Sequence, residues 1–325
     1  MTRKLFTIFI ICFQLSFSFN SYGDDKVKEH NELYESPGYL DSFYYIPRNL
    51  KDSWHSAFNT KASTLWGWGA VISSSIIFYI YDEKIYKHAQ ILGRKLGIGN
   101  HDHTKTLVTI NDVAIFRGPT DLGSWMYFIG DGWTQAITAF SFATYGTFKG
   151  DNKAKQTASQ ILNSLFSGSI PTQLMKRATG REDPFRTTEY RGKWKFFSKN
   201  YDNDVSAHDA VPSGHLMATT STLTVIDTNY PEYRHIIRPL GATLITLLSF
   251  QMINIGVHWI SDYPIGMAIG YITAKNATKY GKRKGSSSAY RKPDVKNIDD
   301  WKFIPSLRAK NANERTYGLT GVFQF

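Results

Sequence analysis

Cysteine is all but missing. The 325-residue chain has one, Cys12, and it lies in an apolar opening segment, so disulfide frameworks and thiol chemistry drop out for the rest of the chain. Ile11 stands before it where a lipoprotein signal wants a small residue, which argues against lipidation. Acidic residues are the minority charge: 27 Asp+Glu face 38 Lys+Arg, for a formal net charge of +11. That balance favours anionic partners such as phosphorylated metabolites, acidic lipid headgroups or nucleic acid. Apolar residues are not scarce. Hydrophobics at 42% and aromatics at 15% supply a packed core and exclude global disorder.

Residues 1–23 read as a secretory signal. Arg3 and Lys4 form the basic start, "LFTIFIICFQLSFSF" (5–19) the apolar stretch, and Ser21-Tyr22-Gly23 the small-x-small cleavage pattern. An uncleaved membrane anchor is the alternative. Export to the periplasm or envelope membrane argues against nucleic acid as the partner of the positive charge.

Residues 24–60 show no clear period and read as an N-terminal arm. From 61 to 275 long uncharged runs alternate with short charged loops: 62–81, 132–148, 156–175, 216–226, 239–261 and 263–274. Their length and their lack of Asp and Lys predict buried helices rather than strands. The expected fold is therefore all-α, a bundle of about six core helices. Runs 62–81 and 239–261 are long enough to cross a bilayer. The other runs are short or rich in Ser, Thr, Gln and Asn, and mean hydropathy is −0.31, so spans and a soluble bundle both remain open. Residues 276–325 read as a basic tail, a solvated linker or a lure for anionic headgroups. Its last residues, "YGLTGVFQF" (317–325), alternate as a terminal edge strand.

Three clusters of chemically capable residues sit at run boundaries. The first, "LMKRATGREDPF", carries Lys176, Arg177, Arg181, Glu182 and Asp183. The second is "PSGH" at 212–215. Backbone N–H groups at a helix start suit a phosphate oxygen, Gly214 permits close approach, Ser213 offers a hydroxyl, and His215 can protonate a leaving alkoxide. The third, "GVHWISDYP", holds His258 and Asp262 four residues apart. On a helix they share a face, so Asp262 reaches one ring nitrogen and leaves the other free for attack. Taken singly, each cluster also fits a bland role: a snorkelling lysine, an N-cap serine, a satisfied structural histidine.

In this order and spacing the clusters resemble the type 2 phosphatidic acid phosphatase superfamily, which includes bacterial acid phosphatases and vanadium haloperoxidases. That family shows Lys-x6-Arg-Pro, Pro-Ser-Gly-His and Ser-Arg-x5-His-x3-Asp on a helical bundle. The resemblance covers roughly 62–274. It implies a phosphoric ester hydrolase with His258 as nucleophile through a phosphohistidine, Asp262 as its orienting partner and His215 as general acid. Lys176, Ser213 and the Gly214 N–H would hold phosphate oxygens, with no metal or other cofactor needed.

Two family arginines are replaced. Asp183 stands where Arg-Pro is expected, and Gln251-Met252 where Ser-Arg is expected. Arg181, two residues before the first loss, is the leading substitute, with Arg177 and Arg186 behind it. Sphingolipid headgroup transferases of the wider superfamily use a His-His-Asp triad without the full arginine set. Three readings follow: a phosphatase acting on a lipid or envelope phosphate ester, a lipid-headgroup phosphotransferase or phosphodiesterase, and a degenerate pseudophosphatase that binds anionic lipid. Vanadate chemistry fits poorly without the arginines.

Overall fold

The computed structural model describes residues 24–110, 113–201, 203–283, 302–311 and 314–322. Contacts divide the chain into two compact units, Met1–Tyr290 and Arg291–Phe325. The first is helical, as the uncharged runs predict. In chain order it holds α1 (Asp24–Leu33), α2 (Asp41–Tyr44), α3 (Ile46–Ala57) and α4 (Ala62–Lys95). A β-hairpin follows, β1 (Thr104–Ile110) and β2 (Val113–Pro119), and then α5 (Leu122–Phe128), α6 (Gly132–Lys149), α7 (Asn152–Thr179), α8 (Gly214–Asn229), α9 (Arg234–Ile255) and α10 (Tyr263–Ala277). The second unit is an antiparallel hairpin of β3 (Lys302–Asn311) and β4 (Glu314–Val322). The expected signal segment 1–23 and the terminal Phe325 lie outside the described residues.

Helix starts follow the local chemistry. Asp131 accepts from Trp133 N to open α6, and Asp151 accepts from Ala154 N to open α7. Each satisfies a backbone donor that the helix itself leaves orphaned. The core is unusually polar for a bundle, which explains the Ser, Thr and Asn in the runs. Ser221 Oγ donates to Ser164 Oγ at 2.7 Å, Asn49 Nδ2 to Asn163 Oδ1 at 2.7 Å, and Asn229 Nδ2 to Gln160 Oε1 at 2.7 Å, all buried. Apolar packing gathers Ala89, Leu216, Leu248, Met252, Ile253 and Tyr263 in one cluster and Ala139, Ile161, Val225 and Ala274 in another.

One packing contact positions the site. A β-carbon on Gly270 would stand 2.2 Å from Met217 O, and one on Gly266 would stand 2.4 Å from Ser213 O. These glycines let the backbone of α10 lie directly on the first turns of α8. Ser213 N donates to Asp262 O across this contact at 3.2 Å. The "PSGH" and "HWISD" segments, about fifty residues apart, therefore meet.

Four features differ from or add to the sequence expectations. The run 239–261 is not one helix. It stops at Ile255, because Gly256 takes the left-handed φ of 88° and caps it. His258 then follows a bend at Val257, and Ile260–Asp262 forms a single 3-10 turn. The arm 24–60 contains three helices. Its polarity reflects docking bonds to α7, such as Ser42 O accepting from Asn163 Nδ2 at 2.8 Å. Residues 104–110 and 113–119, for which the sequence carries no expectation, pair as antiparallel strands. Finally, the terminal strand pairs with 302–311, inside what reads as a tail.

Among the described residues, two helices are long and apolar enough to cross a membrane, Ala62–Lys95 and Pro231–Ile255. The apolar window of the first is entirely unburied, and Leu65, Trp66, Ile72, Ile76 and Ile77 are exposed along it.

Candidate active site

His258 is 4% exposed, and its ring Nδ1 lies 2.7 Å from the Ala210 carbonyl oxygen. A carbonyl only accepts, so Nδ1 carries the proton and Nε2 keeps its lone pair. Burial first, then the neighbouring Lys176 ammonium and His215, hold His258 well below the usual imidazole range. The ring is therefore neutral and nucleophilic at ordinary pH.

Asp262 does not take the role that shared helical spacing assigns it. Its Oδ2 is 3.9 Å from His258 Nδ1, beyond a hydrogen bond. That oxygen accepts instead from Trp259 N at 2.7 Å, while Oδ1 accepts from Arg181 Nη1 at 2.6 Å. The reason is the break at Gly256: on a bend followed by a 3-10 turn, residues four apart no longer stack one above the other. Asp262 shapes the turn that carries His258, and the Ala210 carbonyl holds the tautomer. Burial, opposed by Arg181 and reinforced by Asp82, raises Asp262 to about 7.

Arg181 is 1% exposed, and every N–H of its guanidinium is engaged within the protein. Nη1 donates to Ser261 Oγ and Asp262 Oδ1, Nη2 to Asp82 Oδ2 and the Arg191 carbonyl, and Nε to the same carbonyl. Tyr79, Trp194 and Trp259 surround it at 5.1–5.2 Å from ring centroid to guanidinium carbon. No donor remains for a phosphate. The expectation that Arg181 replaces the missing clamp does not fit this geometry, in which its donors go to Asp82, Ser261, Asp262 and the Arg191 carbonyl. Arg177 lies over Tyr201 at 4.4 Å, and Arg186 pairs with Asp204 on the surface.

Asp82 is the residue that sequence reasoning passes over. It is 1% exposed, and it accepts from Arg181, from Ser261 N at 3.1 Å and from Ser261 Oγ at 2.6 Å. The one signal for it was position, as the first acidic residue after the uncharged run 62–81. Asp209 was also missed. Lys176 Nζ, in the last turn of α7, donates to Asp209 Oδ2 at 3.0 Å, and that bond commits one of its three donors. Lys176 depresses the titration of both His258 and His215, which sets its charge beside both rings.

Ser213 caps α8, its Oγ accepting from Leu216 N at 3.4 Å and donating to Met252 Sδ at 3.6 Å. Gly214 is the first residue of that helix, and His215 follows. The His215 ring lies 6.1 Å from that of His258, centroid to centroid, and 4.5 Å from that of Tyr127. Burial and Lys176 lower His215 to about 4. Met252, at the second lost arginine position, is fully buried against Ser213 and belongs to the core.

The structure thus brings Lys176, Ser213, Gly214, His215, His258 and Asp262 to one place, where the end of α7, the start of α8 and the turn before α10 converge. No curated protein and no solved structure matches the chain. A family model does, that of the PAP2 superfamily over residues 157–286, a stretch that contains every one of these residues. Over that stretch the chain is similar to the PAP2 superfamily.

Proposed function

We propose that the protein is a phosphoric ester hydrolase that works through a phosphohistidine at His258, on an envelope or lipid phosphate ester. One observation carries this reading: Nδ1–H of His258 is bonded to the Ala210 carbonyl, which leaves Nε2 as a neutral nucleophile beside His215 and Lys176. The Nε2 lone pair attacks phosphorus, and the bond to the leaving oxygen breaks. A proton from His215 goes to that oxygen. His215 then accepts a proton from water as the water oxygen attacks phosphorus and the P–N bond breaks, returning phosphate and neutral His258. Substrate phosphate supplies the negative charge that raises His215 from its low free-state value, because an adjacent anion favours imidazolium. The two long apolar helices fit a membrane-associated enzyme with a lipid substrate, and the signal-like start fits export.

Phosphate release by purified protein from p-nitrophenyl phosphate and from a panel of lipid phosphates tests the proposal. His258→Ala is expected to remove at least about a thousandfold of the rate, as loss of a covalent nucleophile does elsewhere. Retained activity in that variant refutes the phosphohistidine route. Inactivity of the wild type on every ester favours the pseudophosphatase reading.

A further inference from the structure

Asp183 occupies the place where the superfamily pattern calls for a guanidinium, and its surroundings show what replaces that group. It is 4% exposed, and its Oδ1 has no hydrogen-bond partner among the described residues. Its backbone is fixed: the N–H donates to Ser206 O, and the carbonyl accepts from Arg186 N and Thr187 N. The residues on either side clasp the strand of chain that bears His258. Glu182 O accepts from Trp259 Nε1 at 2.9 Å, and Phe185 N donates to Gly256 O at 3.0 Å. Asp183 is thereby held against the 256–259 segment. The charged and titratable groups acting on it come from each neighbouring element: Asp209 from the loop before α8, Lys176 from α7, Asp262 from the turn before α10, Arg186 from its own loop and Tyr127 from α5. Tyr127 is also the ring packed on His215.

A buried carboxylate without partners is costly. Burial, then repulsion from Asp209, raises Asp183 to about 9 despite Lys176, so at neutral pH the group is a carboxylic acid. A neutral acid in a dry site is an O–H donor rather than a repelling charge. The charges around the triad agree. Lys176 and Arg181 face Asp82, Asp209 and Asp262, so the site carries no cationic excess to balance a phosphate dianion.

Resting on the phosphohydrolase reading above, we propose that the Asp183 carboxylic acid donates its O–H to a phosphoryl oxygen and selects substrates whose phosphate carries one negative charge, as in a phosphodiester. The acid supplies one directed hydrogen bond without adding charge. A guanidinium in its place would favour a dianionic monoester.

The test is calorimetric binding of diphenyl phosphate and phenyl phosphate to the full chain in detergent micelles, from pH 7 to 10, for wild type, Asp183→Asn and Asp183→Thr. Neither variant titrates, and each keeps a neutral donor; far-UV circular dichroism checks their folding. Wild type should prefer the diester and lose about tenfold in affinity by one pH unit above the titration near 9, while the variants stay flat. Thermal unfolding gives a second readout. A folded-state value raised above the unfolded one means that wild type loses stability relative to Asp183→Asn as pH rises from about 4 to about 9. Equal pH dependence in wild type and variants, preference for the monoester, or absence of diester binding overturns the proposal. Hydrolysis abolished by His258→Ala, measured alongside, shows separately whether the phosphohydrolase reading stands.

Discussion

Arg181→Lys is the substitution whose effect follows most directly from the geometry. It keeps the charge and removes the fork. The guanidinium reaches Asp82, Asp262, Ser261 and the Arg191 carbonyl from three nitrogens, whereas an ammonium offers three donors from one atom. It cannot span carboxylates that approach from two sides, Asp82 on α4 and Asp262 before α10. At least two buried acceptors would lose their partner. A hydrogen bond to a charged group contributes about 1.5–3 kcal/mol, so two losses cost roughly 3–6 kcal/mol. That range overlaps the ~3–5 kcal/mol found when a buried ion pair is broken. For domains of this size the corresponding drop in Tm is on the order of 10 °C, read by circular dichroism or dye-monitored melting. Because both carboxylates share one cation, Asp82→Asn should cost less in the Arg181→Lys background than in wild type, a coupling that a double-mutant cycle detects. The catalytic signature is separate. Arg181 opposes the upward shift of Asp262, so weakening it should move the acid limb of the rate profile to higher pH. A Tm within about 2 °C of wild type, with additive double-mutant effects, would show that the fork is not what holds the turn.

Two other predictions probe the histidine and the packing. His215 sits near 4 in the free enzyme, so kcat/KM for an alkyl phosphate, whose leaving oxygen needs a proton, should rise toward that pH relative to p-nitrophenyl phosphate, whose leaving group does not. His215→Ala should cost about 10²–10⁴-fold on the alkyl substrate and far less on the aryl one; a ratio that stays constant from pH 4 to 8 contradicts the general-acid role. Gly270→Ala would bring a β-carbon to 2.2 Å from Met217 O, forcing α10 off α8, with an expected loss of about 1–3 kcal/mol in denaturant unfolding and of activity with it. Unchanged stability would mean that the two helices part more easily than their backbone contact implies.

The helical bundle was legible in the sequence because uncharged runs of eleven or more residues are a local property, and each of the six supplied a helix, although the helix of run 239–261 ends at Ile255. The motif residues were legible for a similar reason. "PSGH" and "HWISD" are short, and a glycine-relieved contact between α8 and α10 joins them wherever they sit along the chain. Spacing misled at His258 and Asp262, because counting four residues presumes a continuous helix and Gly256 ends it. The hairpin at 104–119 was passed over because its register breaks between Thr106 and Val108 and again between Val108 and Thr109, so strict alternation fails.

The sequence by itself determined which residues are candidates for the proposed chemistry, His215, His258 and Lys176, since side-chain identity is what a nucleophile, an acid or a cation requires first. Tertiary structure alone decided what surrounds them. Whether Arg181 clamps a phosphate or braces Asp262 depends on Asp82, ninety-nine residues away. Whether Asp183 repels a phosphate or donates to it depends on burial, and burial is a property of the packed chain that no single stretch contains.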